Sequence, residues 1–378
     1  MSKAVYIHIP FCTQICHYCD FNKVYLKGQP VEEYLHALRM EMEHIFEITP
    51  PTQVETVFIG GGTPTALNEE QLKYLMETVQ SLVHVKKLKE YTIEANPGDL
   101  TENKLKILKA YGVNRLSLGV QSFNDKLLEA IGRSHRVKDV YTTVEAAKQN
   151  GFTNISIDLM YGLPNQTKED VQFALDEFFK LDIEHCSAYS LIVEPKTVFY
   201  NLMNRNKLPL PSEDEEAIMY KMIMEQMERH GYNQYEISNY TREGFESKHN
   251  IVYWDNEEYY GFGAGAHSYL NSIRRSNLGP IKHYITQVEK NELPVREEIP
   301  LTKKEQIEEE MFLGLRKNEG VSIQKFTNKY GQNPLEYYNT EIEKLTNDGL
   351  LTITDNYIKL TEHGRMLGNL VFQQFIKS

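Results

Sequence analysis

Apolar positions along the first two hundred residues switch repeatedly between two periods. Short β-rich runs at 5–9, 56–59, 91–94, 115–120, 154–160 and 186–193 end in Gly, Pro or a polar cluster and read as strands. Between them the spacing becomes helical. Val31, Tyr34, Leu35, Leu38, Met42, Ile45 and Phe46 form one stripe, and Leu72, Leu75, Met76, Val79, Leu82 and Val83 form another. A further helix is predicted over 138–149, stopping at Gly151. Strands separated by helix-length crossovers pair in parallel, each returned by a helix on the outer face. Six such units fall short of an eight-unit barrel, so the fold class expected is α/β: a partial (β/α)6 TIM-like barrel, its chemistry at the carboxyl ends of the strands.

The pattern then changes. Leu208-Pro209-Leu210-Pro211 reads as a stiff connection, and Ser212 with Glu215 as a capping box. Thr302 with Glu305 starts another helix, and alternating segments at 350–353 and 357–360 suggest a hairpin. Three regions are expected: a barrel over 1–205, a mixed region closing it over 206–295, and a helical, winged-helix-like unit over 296–378.

Composition narrows the function. Apolar residues at 41% and charged residues at 25% describe a globular chain. Asp and Glu number 53 against 41 Lys and Arg, a net charge of −12, which argues against a nucleic-acid partner. The same holds for 301–378, with ten basic against eleven acidic residues. No apolar run reaches the roughly 18–20 residues of a membrane span, and the amino-terminal stretch lacks the features of a signal peptide. A cytoplasmic protein is expected.

Three of the four cysteines, Cys12, Cys16 and Cys19, lie on one short segment. Three thiolates at this spacing suit three irons of a [4Fe–4S] cube whose fourth iron stays open, an acceptor for a ligand chelating through amine and carboxylate. A zinc loop completed by His8 or His17 is the alternative. The fourth cysteine, Cys186, sits in an apolar strand and reads as an inert thiol, and Met219, Met222, Met224 and Met227 read as helix packing.

YIHIPFCTQICHYCDF, FIGGGTPT, IEANPG, LGVQSFND, IGRSHR and IDLMYGLPNQT together make the chain resemble the radical S-adenosylmethionine (SAM) superfamily. Within it they resemble the branch holding the oxygen-independent coproporphyrinogen III dehydrogenases and the heme chaperones. The resemblance implies a [4Fe–4S] cluster on the three cysteines, with SAM bound to its open iron and an electron donor to reduce it. Reductive cleavage of SAM to a deoxyadenosyl radical is the superfamily's reaction. It implies SAM contacts at Gly61, Gly62 and Thr63, at Glu94 for the amine, Arg133 for the carboxylate, and Gln121 and Asp158 for the ribose. Tyr6, Tyr18 and Ile192 match contact positions too. Without the resemblance, Glu94, Arg133, Gln121 and Asp158 each read as a solvated or structural polar residue, and the glycines as a plain turn.

Two features separate the members of this branch. The dehydrogenases carry a further cysteine two residues after the third, where this chain has Phe21, and an extension ahead of the first strand. His249-Asn250-Ile251-Val252-Tyr253-Trp254 matches the HNxxYW motif of the chaperones. His249, Tyr253 and Trp254 are thus expected at a heme site, by axial ligation or aromatic packing, and His267 is a lesser candidate. The leading expectation is a heme-binding chaperone on a radical SAM scaffold. It would pass heme to acceptor heme proteins, respiratory and membrane-bound ones included, meeting the membrane transiently. The alternatives are oxidative decarboxylation of coproporphyrinogen III, and radical SAM chemistry on an unrelated substrate.

Overall fold

Six parallel strands stand side by side in chain order: β1 (Ala4–Ile9), β2 (Thr56–Gly61), β3 (Glu90–Ala95), β4 (Arg115–Gln121), β5 (Ile155–Tyr161) and β6 (His185–Ser190). They come from a computed structural model that describes residues 2–51 and 53–376. The crossovers carry α1 (Val31–Ile48), α2 (Glu69–Leu82), α3 (Glu102–Ala110), α4 (Asp125–Ala130), α5 (Val137–Gln149) and α6 (Lys168–Leu181). Each expected strand and stripe is present. Leu35, Leu38 and Met42 of α1 and Leu72, Leu75 and Met76 of α2 are buried against the sheet, each stabilising the fold by roughly 1.5–3 kcal/mol.

The two-residue alternation of the strands sorts the interior. Tyr91 and Ile93, Leu116 and Leu118, Ile157, and Cys186 and Ala188 belong to the core beneath the helices. Glu94, Arg115, Ser117, Asp158, Ser187 and Tyr189, at the alternate positions, line a cavity inside the barrel. A polar barrel interior makes room for a ligand instead of side-chain packing.

The region after the barrel extends both sheet edges. β7 (Asn233–Glu236) and β8 (Asn239–Thr241) follow α7 (Glu213–Arg229), and β8 runs antiparallel beside β6. On the other edge β9 (Tyr259–Phe262) lies parallel to β1, followed by antiparallel β10 (His267–Leu270), β11 (Ile273–Asn277) and β12 (Val295–Pro300), giving a twelve-stranded sheet. Because β12 pairs with β11, the boundary expected at 296 falls inside a strand of the main sheet.

The same region carries α8 (Lys248–Trp254). It sits at the starts of β2 and β3, where the Glu90 carboxylate accepts from Lys248 N at 2.8 Å and His249 N at 3.1 Å. A second core, including Ile307, Met311, Phe326 and Ile358, begins with α9 (Lys303–Gly314). Its sheet pairs β13 (Val321–Ser322) and β14 (Leu351–Ile353) on either side of β15 (Tyr357–Leu360). Both expected capping boxes form, Ser212 with Glu215 and Thr302 with Glu305.

Candidate functional site

The cysteine loop follows β1 and overhangs the carboxyl ends of the strands. Its stem is fixed by backbone bonds, Val24 N to Pro10 O at 2.8 Å and Leu26 N to Cys12 O at 2.9 Å. Its tip docks through His17 N on Ile131 O at 3.0 Å and Phe199 N on His17 O at 3.1 Å. Asn22 ties it to the opposite sheet edge, donating to Ala264 O at 2.7 Å and Gly279 O at 3.0 Å. Cys12, Cys16 and Cys19 are free thiols lining a cavity of ≈ 490 Å³.

The Gly60-Gly61-Gly62 turn lets β2 pass close beneath that loop. A Cβ on Gly62 would lie 2.8 Å from Phe11 O, and one on Gly61, whose φ is +113°, would lie 2.5 Å from the His8 ring. Gly62 N and Thr63 N donate to Ile9 O and Phe11 O at 2.9 and 2.8 Å. Gly61 N donates to Glu94 Oε2 at 3.0 Å. The glycines thus serve backbone contact with the cysteine loop as well as lining the cavity.

A hydrogen-bonded chain joins two of the thiols. Thr63 Oγ1 lies 3.8 Å from Cys12 Sγ and accepts from Asn96 Nδ2 at 3.1 Å. Asn96 Oδ1 accepts from Arg133 Nη1 at 2.9 Å, and the same nitrogen lies 3.5 Å from Cys16 Sγ. Arg133 Nη2 donates to Gly119 O at 2.6 Å. Charge-assisted bonds of this kind fix the guanidinium in one orientation beside the thiols. Asn96 follows directly on β3 and, with Glu94, belongs to the polar residues gathered at the carboxyl ends of the strands.

Deeper in, Glu94 and Asp158 are half-buried carboxyls facing the cavity. Burial, then the neighbouring Asp158, pushes Glu94 up to about 8, and burial also raises Asp158. Gln121 enters the cavity from a left-handed backbone, φ +68°, a strained conformation for a residue with a Cβ. Tyr18 and Ile192 line the cavity as well, Ile192 at its exposed mouth together with Phe21. Arg115, Ser117, Ser187, Tyr189 and Asn250 complete the walls and were not anticipated.

Five expected residues lie elsewhere. Tyr6 stands outside the lining, its hydroxyl 2.9 Å from His8 Nδ1 and its ring stacked on Phe58. His249 is buried in the floor with both ring nitrogens occupied, Nδ1 by Thr56 Oγ1 and Nε2 by Tyr253 Oη, each at 2.9 Å. Its ring stacks on Phe58, and burial lowers it to about 3, so it is neutral and inward-bonded. Trp254 faces a separate cleft with Arg316 4.5 Å over its ring. His249 and Tyr253 thus belong to the barrel's floor, and of the HNxxYW motif Asn250 alone lines the cavity. His267, the lesser candidate, is exposed on β10 and outside the lining.

The donor set suits a cluster. His8, proposed as a zinc ligand, has both nitrogens engaged, by Tyr6 Oη and Asn22 O. Among the described residues no three His, Cys, Asp or Glu side chains converge on one point, as a single ion needs. A cube instead takes each thiolate on a different iron. When bound, such a cluster would supply an iron open to SAM and a source of one electron.

Known proteins agree. The Radical SAM superfamily pattern matches residues 6–178, and that of the HemN C-terminal domain matches 301–367. A heme chaperone HemW from Bacillus subtilis (strain 168) is 52% identical over 375 residues, covering 99% of both chains. One from Lactococcus lactis subsp. lactis is 49% identical over 374 residues, covering 99% of this chain and 97% of the relative. The chain belongs to the HemW family of radical SAM proteins. Among solved structures, coproporphyrinogen III oxidase (HemN) from Escherichia coli, a radical SAM enzyme, aligns with TM-score 0.85 at 25% identity, covering 98% of this chain and 89% of that one. For this HemW family member, Cys12, Cys16 and Cys19 are the residues suited to hold the cluster. Thr63 and Arg133 stand beside Cys12 and Cys16, and Glu94 faces the same cavity.

Proposed function

We propose that the protein is a heme chaperone: it binds heme and passes it to acceptor heme proteins, with a [4Fe–4S] cluster and SAM held in the barrel. What carries the reading is full-length identity of 52% to a protein named for that activity. Phe21 supports it, standing 64% exposed at the cavity mouth where the dehydrogenases carry a further cysteine. The proposed acceptors are respiratory heme proteins, some of them membrane-bound. Among the described residues no helix is long and apolar enough to cross a membrane, so delivery there would be by surface encounter. The proposed setting is the cytoplasm, with an electron donor for the cluster.

The test pairs two assays on anaerobically loaded protein. Heme-loaded protein mixed with an apo heme protein should transfer its Soret absorbance to the acceptor. Coproporphyrinogen III with SAM and a reductant should yield no protoporphyrinogen. Product at catalytic turnover, or heme that never leaves, overturns the proposal.

A further inference from the structure

We propose that Arg115 anchors a carboxylate of the ligand that enters the barrel, and that this carboxylate is a heme propionate; the inference rests on the heme-chaperone reading. Arg115 begins β4 and lines the cavity, yet only 2% of it is exposed. Its Nε is buried with no hydrogen-bond partner, and it forms no ion pair among the described residues. Burying a guanidinium without a partner costs several kcal/mol, so a fold that keeps one aimed into a cavity leaves it for something that arrives.

The other cavity arginine does not compete for that role. Arg133 already grips Asn96 and Gly119 beside the cysteines. Gly119 is four residues along β4 from Arg115, or about 13 Å of strand. Arg133 is thus held beside the cysteines by the end of β4 remote from Arg115, so the carboxylate of one SAM molecule taken by Arg133 leaves Arg115 unmet. Asp158 and Glu94 share the cavity and act on Arg115 electrostatically, but neither forms a hydrogen bond or ion pair with it among the described residues. Ser117, Ser187 and Asn250 line the same cavity and offer neutral donors. At the mouth, Phe21 and Ile192 are 64% and 68% exposed, apolar surface suited to a macrocycle whose acidic arm points inward.

The experiment titrates the full-length, cluster-loaded protein with hemin and with hemin dimethyl ester, whose propionates are blocked, following the Soret band. The wild type should bind hemin roughly tenfold or more tightly than the ester, the scale of a charge-assisted pair. Arg115→Gln should bind the two within about threefold of each other, and Arg115→Lys should recover part of the preference. The wild-type comparison stands even where a variant fails to fold. Equal binding of both porphyrins by the wild type, or a preference that survives in Arg115→Gln, overturns the assignment. So does an Arg115→Gln protein that loses SAM affinity alone, which would give the carboxylate to the amino-acid cofactor. Binding of neither porphyrin by the wild type removes the chaperone reading itself.

Discussion

Arg133 Nη1 lies 3.5 Å from Cys16 Sγ, so a cation from beyond β4 touches the cysteine loop directly. The same nitrogen holds Asn96, and Asn96 holds Thr63 beside Cys12. The wall where SAM's carboxylate is expected and the loop that suits the cluster thus form one hydrogen-bonded unit.

Asn96→Ala removes the shared partner of Arg133 and Thr63 while leaving every thiol in place. Iron content after reconstitution should match the wild type, and SAM affinity should fall roughly tenfold, the loss of one or two such bonds. Anaerobic equilibrium dialysis beside an iron assay checks it; unchanged SAM affinity would show that the chain of bonds positions nothing.

Replacing Cys12, Cys16 and Cys19 together by serine should abolish the cluster absorbance of reconstituted protein. The apo-protein's melting temperature should shift little, because the loop is held by backbone bonds of Val24 and Leu26. Equal iron in the wild type and the triple variant would refute the ligand assignment.

Gly61→Ala places a methyl against the His8 ring at a backbone angle that L-residues rarely adopt. A loss of roughly 1–3 kcal/mol in denaturant unfolding is expected. Iron loading should fall too, since His8 Nε2 holds the cysteine loop through Asn22 O at 2.7 Å. A variant as stable and as well loaded as the wild type would refute this account of the turn.

His249→Ala separates the floor from a ligand role. It leaves Thr56 and Tyr253 without their partner and opens a cavity beneath Phe58, so a destabilisation of about 2–4 kcal/mol is expected. The heme spectrum of the folded fraction should be unchanged. A lost Soret shift at intact stability would restore His249 as an axial ligand.

The strands, helices and cysteine loop were legible because each is written locally, in two-residue alternation, helical stripes and three cysteines close together. Arg115 carried a signal that went unread: a charged residue in phase with Ser117 and Gly119 on a strand whose other face is Leu116 and Leu118. The role of His249 had no local sign, since its partner Thr56 is 193 residues away and the motif's aromatics suit packing and heme equally. The pairing of β9 with β1 was hidden for the same reason: parallel strands so far apart share no turn that would announce them.

Glu41 on α1 provides a pH test away from the site. It is buried and accepts from Tyr284 Oη at 2.5 Å, Asn277 Nδ2 at 2.6 Å and Gly263 N at 2.8 Å; burial pushes it up to about 7. A carboxyl raised in the folded state binds more protons folded than unfolded, so its stabilisation is full below about pH 4.5 and declines as pH rises to 7. The advantage of the wild type over Glu41→Gln should therefore shrink across that window, by up to about 3 kcal/mol. Urea unfolding at pH 5, 6 and 7 measures it; a constant difference would show that Glu41 ionises normally.

The attachment of Asn22 to Ala264 and Gly279 has a consequence for biogenesis. The cysteines leave the ribosome first, yet the strand that flanks β1 and the carbonyls that clamp the loop are made some two hundred and forty residues later. A chain of two hundred residues would have the bonds that hold the loop's stem and tip but lack the Asn22 clamp. Truncated barrels should therefore take up iron less well than the full chain although every thiol is present.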